Sequence, residues 1–567
     1  MKRGILAFLG TGVETATVHD TARRAGLVAA GDIAGMALFA GSHLPVRPLK
    51  DGSFVLGDIF AREGGDSDAA GEPWGSYLRF WADDRTVRIE RAPLTGLPLY
   101  WMRFGAGILC FSHLELAQGL VHGLDIDHDF VAHSISYINL RTERTGLHGL
   151  SELLPGSRLE IEGGSVRLVS TWSPRDYAAR PTSFAAADLA PRLERCIVEC
   201  VRAWGGARPE IMLELSGGLD SSIVAAALAG AGCAFAAINF VTPRGDGDER
   251  RFARVVASRC GASLVEADLG DEVADLVAPP HRLTPRPADY AVLGSIDRAF
   301  DRACGPSDAA IFGGIGGDNI FGFDGSVAPI LDAAAAHGYS RRTFEALRDV
   351  ARAADTTMWH ALRLALRARR KGGRRGWRRE TLFLDSAALP EQPFAHPWDE
   401  GTKGAAPAKR NHVEAVMRIL DFVDRPGRWY DRDVVAPLLS QPLVEFCLAI
   451  PSWTWVEGGR DRAVARAAFA SRLPPAVVWR RGKGRIESVA AAAYRAQRAD
   501  LRDLLLGGRL AALGLLDRVA IEIYLARDLA AGDYDYYRLL EIADVERWVR
   551  ALEASSFCGP SRAHRAY

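Results

Sequence analysis

The chain lacks any apolar stretch near the ~20 residues that a membrane helix needs. It has no excess of either charge. Lys and Arg number 70 and Asp and Glu number 70, so the balance argues neither for nor against nucleic acid. It has no Cys-x-x-Cys pair. Its cysteines are scattered at Cys110, Cys196, Cys200, Cys233, Cys260, Cys304, Cys447 and Cys558. Structural zinc needs four convergent ligands, which dispersed thiols do not supply. Reduced, buried thiols of a cytoplasmic protein are the expectation. The opening Met1–Gly10 has only a short apolar centre, and polar Glu14, His19 and Asp20 follow soon after. It reads as a first strand and not as a signal peptide.

What is present is ordinary in bulk. At 567 residues, with 48 % apolar and 25 % charged side chains, the chain has room for two or more globular domains. Up to about residue 172 it is strand-rich. Met36–Phe39, Tyr77–Phe80, Thr86–Ile89 and Ile108–Phe111 are short runs separated by Gly, Pro and Asp turns. Pro93–Trp101 is a loop entering another strand, and Leu153–Ser157 is a turn ahead of Arg158–Ile161. Residues 173–187 read as a polar, proline-containing linker. Helices and strands then alternate. Helix Leu193–Ala203, strand Ile211–Leu215, helix Ser221–Ala229, strand Ala234–Val241, helix Glu249–Arg259 and strand Ser263–Ala267 follow in turn. This alternation predicts a doubly wound parallel sheet with its ligand at the carboxyl ends of the strands. From about residue 330 the pattern is mostly helical.

The most informative segment is Ile211–Ser222. An apolar strand runs into Ser216-Gly217-Gly218, and a helix starts near Ser221. Free N–H groups at a helix N-terminus suit phosphate, and the glycines permit close approach and positive φ. Leu215, Ser216, Gly217, Gly218, Asp220, Ser221 and Ser222 are the candidate nucleotide contacts, with Asp220 a hard oxygen ligand for Mg²⁺. The order Ser-Gly-Gly-x-Asp-Ser resembles the pyrophosphate loop of ATP pyrophosphatases. It is not a Walker A loop, because no Gly-Lys-Ser/Thr follows the glycines. A second strand, Ala309–Phe312, enters Gly313-Gly314-Ile315-Gly316-Gly317-Asp318-Asn319. Gly313 and Gly314 are candidate phosphate contacts. Asp318 is the candidate second Mg²⁺ ligand, since two carboxylates alone would repel a triphosphate.

Together the two loops resemble the synthetase domain of the asparagine synthetase superfamily, whose second loop reads Ser-Gly-Glu-Gly-x-Asp-Glu. Arg91-Ala92-Pro93-Leu94-Thr95-Gly96-Leu97-Pro98-Leu99-Tyr100 and Leu153–Ser157 resemble stretches of its glutaminase domain. The resemblance implies two domains. Residues 1–175 would be an Ntn-hydrolase-like, glutaminase-like sandwich. Residues 186–567 would be an α/β ATP-pyrophosphatase (PP-loop) synthetase domain with a helical C-terminal part. A glutaminase needs Cys directly after Met, whereas Lys2 stands there, so the first domain is expected to be inactive. Ile315 and Asn319 replace the two Glu residues of the second loop. The amine is therefore expected to come from the substrate itself.

Leu438–Glu445, Ile450-Pro451-Ser452, Gly458–Arg466, Leu473-Pro474-Pro475 and Trp479–Arg485 follow in order. This suite resembles the lasso peptide macrolactam synthetases, and Lys483 matches that family's catalytic lysine, also a nucleotide contact. The implied catalytic set is Lys483, Asp220 and Asp318, with ATP and Mg²⁺. The implied reaction joins an Asp or Glu side chain of a linear precursor core peptide, activated as its acyl-AMP, to the peptide's own N-terminus. A leader peptidase and a leader-recognition protein are candidate partners; neither nucleic acid nor membrane is expected. Ring closure of a small amino acid derivative, as in β-lactam synthetases, and asparagine-synthetase-like amide ligation are the alternatives. The first ranks lower because that family's Tyr base falls where Ile315 stands.

Three other features have plainer readings. His122, Asp125, Asp127, His128, Asp129 and His133 imitate a metal cluster, but Asp127 or Asp129 is expected to cap a helix at Phe130–Tyr137. The basic run Arg363–Arg379 reads first as a solvated helix and loop, and next as a docking site for an acidic partner. Asp246, Asp248 and Glu249 read first as a helix cap, and their place near the carboxyl edge of the sheet leaves a role in the site as the alternative.

Overall fold

The protein is described from a computed structural model. It covers residues 3–62, 72–94, 96–241, 248–270, 273–305, 307–323, 325–370, 377–399, 406–423, 425, 432–480, 482, 487–530 and 532–558. Lys2, Thr95, Asp246, Lys371, Arg374, Arg375 and Lys483 lie outside the described residues.

Among the described residues, twelve short strands build the N-terminal part. β1 (Ile5–Leu9), β2 (Val28–Ile33), β3 (Met36–Ala40), β8 (Tyr100–Phe104), β9 (Gly107–Phe111) and β10 (Leu150–Glu152) form one sheet in the order β10-β8-β9-β1-β3-β2. β4 (Val46–Pro48), β5 (Phe54–Phe60), β6 (Trp74–Ala82), β7 (Thr86–Arg91), β11 (Ser157–Glu162) and β12 (Ser165–Ser170) form the other, in the order β12-β11-β7-β6-β5-β4. Every neighbouring pair in both sheets is antiparallel. Alternation puts Ile5 and Ala7 of β1, with Leu78 and Phe80 of β6, into a shared core, which makes the pair a sandwich.

Residues 173–187 are more ordered than a linker. Ser173 Oγ accepts from Arg175 N at 3.3 Å and starts a short helix, Pro174–Ala178. Thr182 N then donates to the Ala449 carbonyl at 2.9 Å, strapping the segment to the second domain.

That domain is built on five parallel strands. β13 (Ile211–Glu214), β14 (Ala236–Val241), β15 (Ser263–Asp268), β16 (Ala310–Phe312) and β17 (Val434–Val435) take the order β15-β14-β13-β16-β17. All four pairings are parallel. β13 is central and lies beside β16, so the loops leaving these two strands emerge next to each other at the carboxyl edge. The helices Ala186–Gly206, Leu219–Gly230 and Arg250–Cys260 pack around the sheet. Their Leu, Ile, Val and Ala side chains recur at helical spacing.

The expected division at residues 175–186 does not divide the apolar cores. Helices Glu487–Ala496, Arg498–Leu506, Arg518–Ala526 and Tyr536–Ala554 share one cluster with Leu6, Phe8, Tyr100 and Phe111 of the first sheet. No described helix is long and apolar enough to cross a membrane.

Candidate active site at the carboxyl edge of the parallel sheet

The first loop is fixed by its neighbours. Leu215 is fully buried; its N donates to the Ile238 carbonyl at 2.8 Å, and its carbonyl accepts from Asn239 Nδ2 at 2.8 Å. Gly217 has φ +78°. A Cβ there would sit 2.7 Å from Phe252 Cβ and 2.9 Å from Ala253 N, so no larger residue fits. Gly218 caps the helix Leu219–Gly230 and places Asp220 in its first turn. Ser216 Oγ accepts from Gly218 N at 3.2 Å and lies 3.1 Å from Ser221 Oγ. Ser216 is exposed. Ser222 instead faces the core, fully buried, its hydroxyl without a hydrogen-bond partner among the described residues.

The second loop presses directly on the first. A Cβ on Gly314 would lie 2.5 Å from Ser221 N, and one on Gly317 would lie 2.5 Å from Asp220 Cγ. These two glycines are therefore a packing requirement of the paired loops. Gly313 has more room, since its Cβ would meet Glu214 Oε2 at 3.6 Å. Ile315 packs against the main core. Asn319 turns away from the site, its Nδ2 donating to the Ala415 carbonyl at 2.8 Å. His412 stands on the same helix, Pro407–Val423, and its Nε2 lies 2.8 Å from the Ile320 carbonyl. Burial lowers the His412 pKa to about 3, so the ring is neutral and Nε2 carries the proton. Asn319 and His412 thus anchor the second loop from behind.

Asp220 and Asp318 are brought together by a residue that sequence reasoning did not single out. Arg462 Nη1 lies 3.2 Å from Asp220 Oδ1 and also bonds Asp318 Oδ1. Its Nε donates to Asp461 Oδ2 at 2.9 Å, and Asp461 is braced in turn by Arg466 at 2.9 Å. Arg462 holds φ +52°, unusual for a side chain with a Cβ. The motif Gly458–Arg466 therefore delivers a guanidinium between two carboxylates. The motif carries a family resemblance, but a left-handed residue inside it has no sequence signal.

Lys483 lies outside the described residues, but the chain leading to it is held. Arg480 Nη1 pairs with Glu249 Oε1 at 2.7 Å, and its guanidinium sits 4.0 Å over the Phe252 ring. Phe252 is the residue that packs on Gly217. Glu249 is thus a tether between the first loop's neighbour and the late basic segment. Of the residues read as a helix cap, Glu249 holds the cap position of the helix Arg250–Cys260 without a side-chain cap bond, while Asp248 accepts from Arg250 N at 3.0 Å. Asp127 caps the helix His128–Ser136, accepting from Phe130 N at 3.0 Å, and also pairs with Arg144.

Two hard-oxygen side chains meeting at one cation position fit Mg²⁺, and the guanidinium marks the demand for positive charge there. With the glycine-lined helix N-terminus beside them, the residues present fit a magnesium–polyphosphate group. A cavity of about 710 Å³ lies at the opposite edge of the sheet and is lined with paired charges such as Arg3–Asp433 and Arg432–Asp301.

Comparison with known proteins bears on the family of the chain. No curated protein matches the chain. Two solved structures align over roughly half of it. One is the allosteric regulatory enzyme of purine biosynthesis, at 10 % identity over 54 % of this chain and 89 % of that one, with a TM-score of 0.19. The other is glutamine phosphoribosylpyrophosphate (PRPP) amidotransferase from B. subtilis complexed with ADP and GMP, at 10 % identity over 55 % and 90 %, with a TM-score of 0.20. Superpositions this loose carry no weight for fold or chemistry. The asparagine synthase family profile matches residues 192–550, which contain both glycine loops, Arg462 and Arg480. With nearly two thirds of its length inside that profile, the chain belongs to the asparagine synthase family of ATP-dependent amide ligases.

Proposed function

We propose that the protein closes a macrolactam ring in a lasso-type peptide. A side-chain carboxylate of the peptide attacks the α-phosphorus of ATP, and pyrophosphate leaves. The peptide's own N-terminal amine then attacks the acyl carbon and AMP leaves. The meeting of Asp220 and Asp318 at one cation position, against the Gly217–Ser221 turn, is the observation that supports carboxylate activation by ATP.

In this reading the N–H groups around Gly218 and the Ser216 and Ser221 hydroxyls bind the departing phosphates. Asp220 and Asp318 would hold Mg²⁺, which supplies charge neutralisation on the polyphosphate. Arg462 moves off the carboxylates toward phosphate oxygens. Lys483 donates to the charge that builds in the transition state, a contribution commonly worth about 10²–10³ in rate. Asn319 and His412 keep the second loop in register.

The nitrogen comes from the peptide. Cys110 is the sole cysteine before Cys196, and it is fully buried between the sheets. Burial pushes its thiol up to about 12, so it offers no thiolate to release ammonia from an amide. An α-amine with pKa about 7.7–8.0 is partly neutral at cellular pH, so Ile315 in place of a carboxylate base is no obstacle. Holding the tail threaded while the ring closes is then a matter of positioning.

The test is incubation with ATP, Mg²⁺ and a linear precursor peptide, read by mass spectrometry and nucleotide analysis. Loss of one water from the peptide with AMP and pyrophosphate release is the expected result. ADP release would overturn the whole activation scheme. AMP release with ring closure only of a small amino acid derivative would overturn the peptide assignment.

A further inference from the structure

The helix Met358–Arg370 is attached to the molecule by small side chains. Ala361 and Ala365 are buried, against a cluster that includes Ile330, Val350 and Val456. Its other side projects. Trp359, Arg363, Leu366 and Arg370 follow at i, i+4, i+7 and i+11, one stripe on the helix surface. Trp359 is 81 % exposed and Leu366 46 %. Next to the helix, Tyr339 is 90 % exposed and its hydroxyl accepts from Arg369 Nη1 at 2.8 Å. The charge along this stretch has one sign. From Thr356 to Arg379 the sequence has nine Arg and Lys residues and no Asp or Glu, in a chain whose 70 basic and 70 acidic residues cancel only as a whole.

We propose that this helix docks the protein peripherally on an anionic phospholipid surface. Exposed Trp359, Leu366 and Tyr339 stand among the arginines, and apolar side chains beside cations suit a lipid headgroup layer better than a polyanion bound through charge alone. Indole and phenol groups settle at headgroup depth. Arginine stems lie along the apolar side chains while their heads reach lipid phosphates. One-signed charge beside an amphipathic helix is the pattern that anionic leaflets attract. The proposal departs from the expectation that no membrane is engaged; it concerns the membrane surface only, and no described helix is long and apolar enough to span a bilayer.

The test is flotation of the full-length protein with vesicles of phosphatidylcholine alone and of phosphatidylcholine mixed equally with phosphatidylglycerol. Partitioning onto the mixed vesicles should exceed that onto neutral ones at least about tenfold and fall with added salt. The triple variant Arg363→Glu/Arg367→Glu/Arg370→Glu should partition at least about a hundredfold less. Trp359→Phe should lose the fluorescence quenching that brominated lipid produces in the parent. These side chains are exposed, so circular dichroism and ATP consumption should match the parent. Equal binding to both vesicle types, or retention by the triple variant, overturns the proposal. Binding of single-stranded RNA or of polyglutamate through these arginines without vesicle binding also overturns it, and assigns the face to nucleic acid or to an acidic protein.

Discussion

Replacing Arg462 with alanine should tighten the protein's grip on free Mg²⁺ while lowering its turnover. The side chains of Arg462 and Asp220 are 10 % and 9 % exposed, and that of Asp318 is 38 % exposed. Breaking a buried ion pair costs about 3–5 kcal/mol, whereas an exposed pair is worth about 0–1 kcal/mol. Asp220 falls in the first regime and Asp318 nearer the second. The alanine variant therefore starts about 3 kcal/mol higher in free energy without a cation, and an incoming dication recovers that amount. At 1.4 kcal/mol per decade this is roughly a hundredfold gain in Mg²⁺ affinity in the absence of nucleotide. Calorimetric titration of Mg²⁺ into nucleotide-free protein measures it directly. Melting curves give a second reading: the variant should melt lower than the parent without Mg²⁺ and gain more on its addition. Arg462→Gly should bind Mg²⁺ like the alanine variant but be about 1 kcal/mol more stable, because φ +52° suits glycine. Unchanged or weaker Mg²⁺ binding by the alanine variant would refute the idea that the guanidinium stands where the ion belongs.

Asp220→Ala and Asp318→Ala should each weaken Mg-ATP binding; nucleotide affinity equal to the parent in titration would count against them as ligands. Lys483→Ala should keep ATP affinity within a few-fold but abolish AMP release, and undiminished cyclisation would sink its assignment. Gly314→Ala forces a Cβ to within 2.5 Å of Ser221 N, so it should separate the loops, costing about 1–3 kcal/mol in stability and most of the activity; normal AMP release would show that the loops tolerate separation. Burial lowers the His133 pKa to about 4 and those of His396 and His412 to about 3, and raises that of Asp544 to about 7. Between about pH 4 and 6.5 the unfolded chain then binds a net two more protons from these groups, and stability falls with falling pH by about 2.7 kcal/mol per unit. His412→Gln should halve that slope in denaturant unfolding across the pH series, and an unchanged slope would remove His412 from the account.

The parallel sheet and its first loop were legible because their signals are local. An apolar run, two glycines, a hydroxyl and a helix start fix strand, turn and helix without reference to anything distant. Asp220 and Asp318 stood out as candidates for the same reason, each lying in the first helical turn after a glycine bend. Arg462 was not, since nothing in Arg460-Asp461-Arg462 says that the middle of a basic motif will turn left-handed and reach two strands away. Asn319 shows the reverse failure. In the sequence it is a missing carboxylate; in three dimensions its amide is occupied with the Ala415 carbonyl. Ser222 sits in a motif of donors yet faces inward, because it lies within the helix Leu219–Gly230, on the side packed into the core, whereas Ser216 precedes that helix in the exposed turn. β17 is two residues long, too short to show any periodicity, and it exists because β16 offers an open edge. The bracing of residues 173–187 by Ala449 depends on a partner more than 260 positions away.

The seating of the final helices on the opening sheet ties the beginning of the polypeptide to its end. The backbone joins the two halves once, and this clasp joins them a second time without a covalent bond. Cutting the peptide between residues 179 and 185 would free neither half, since Tyr494 and Trp548 on one side and Phe8 and Phe111 on the other would be stripped of their shared cover. A sandwich whose one thiol is entombed still earns its place as a buttress. Damage inside it should be felt as lost ligase, and a ligase trimmed of it should have no soluble form.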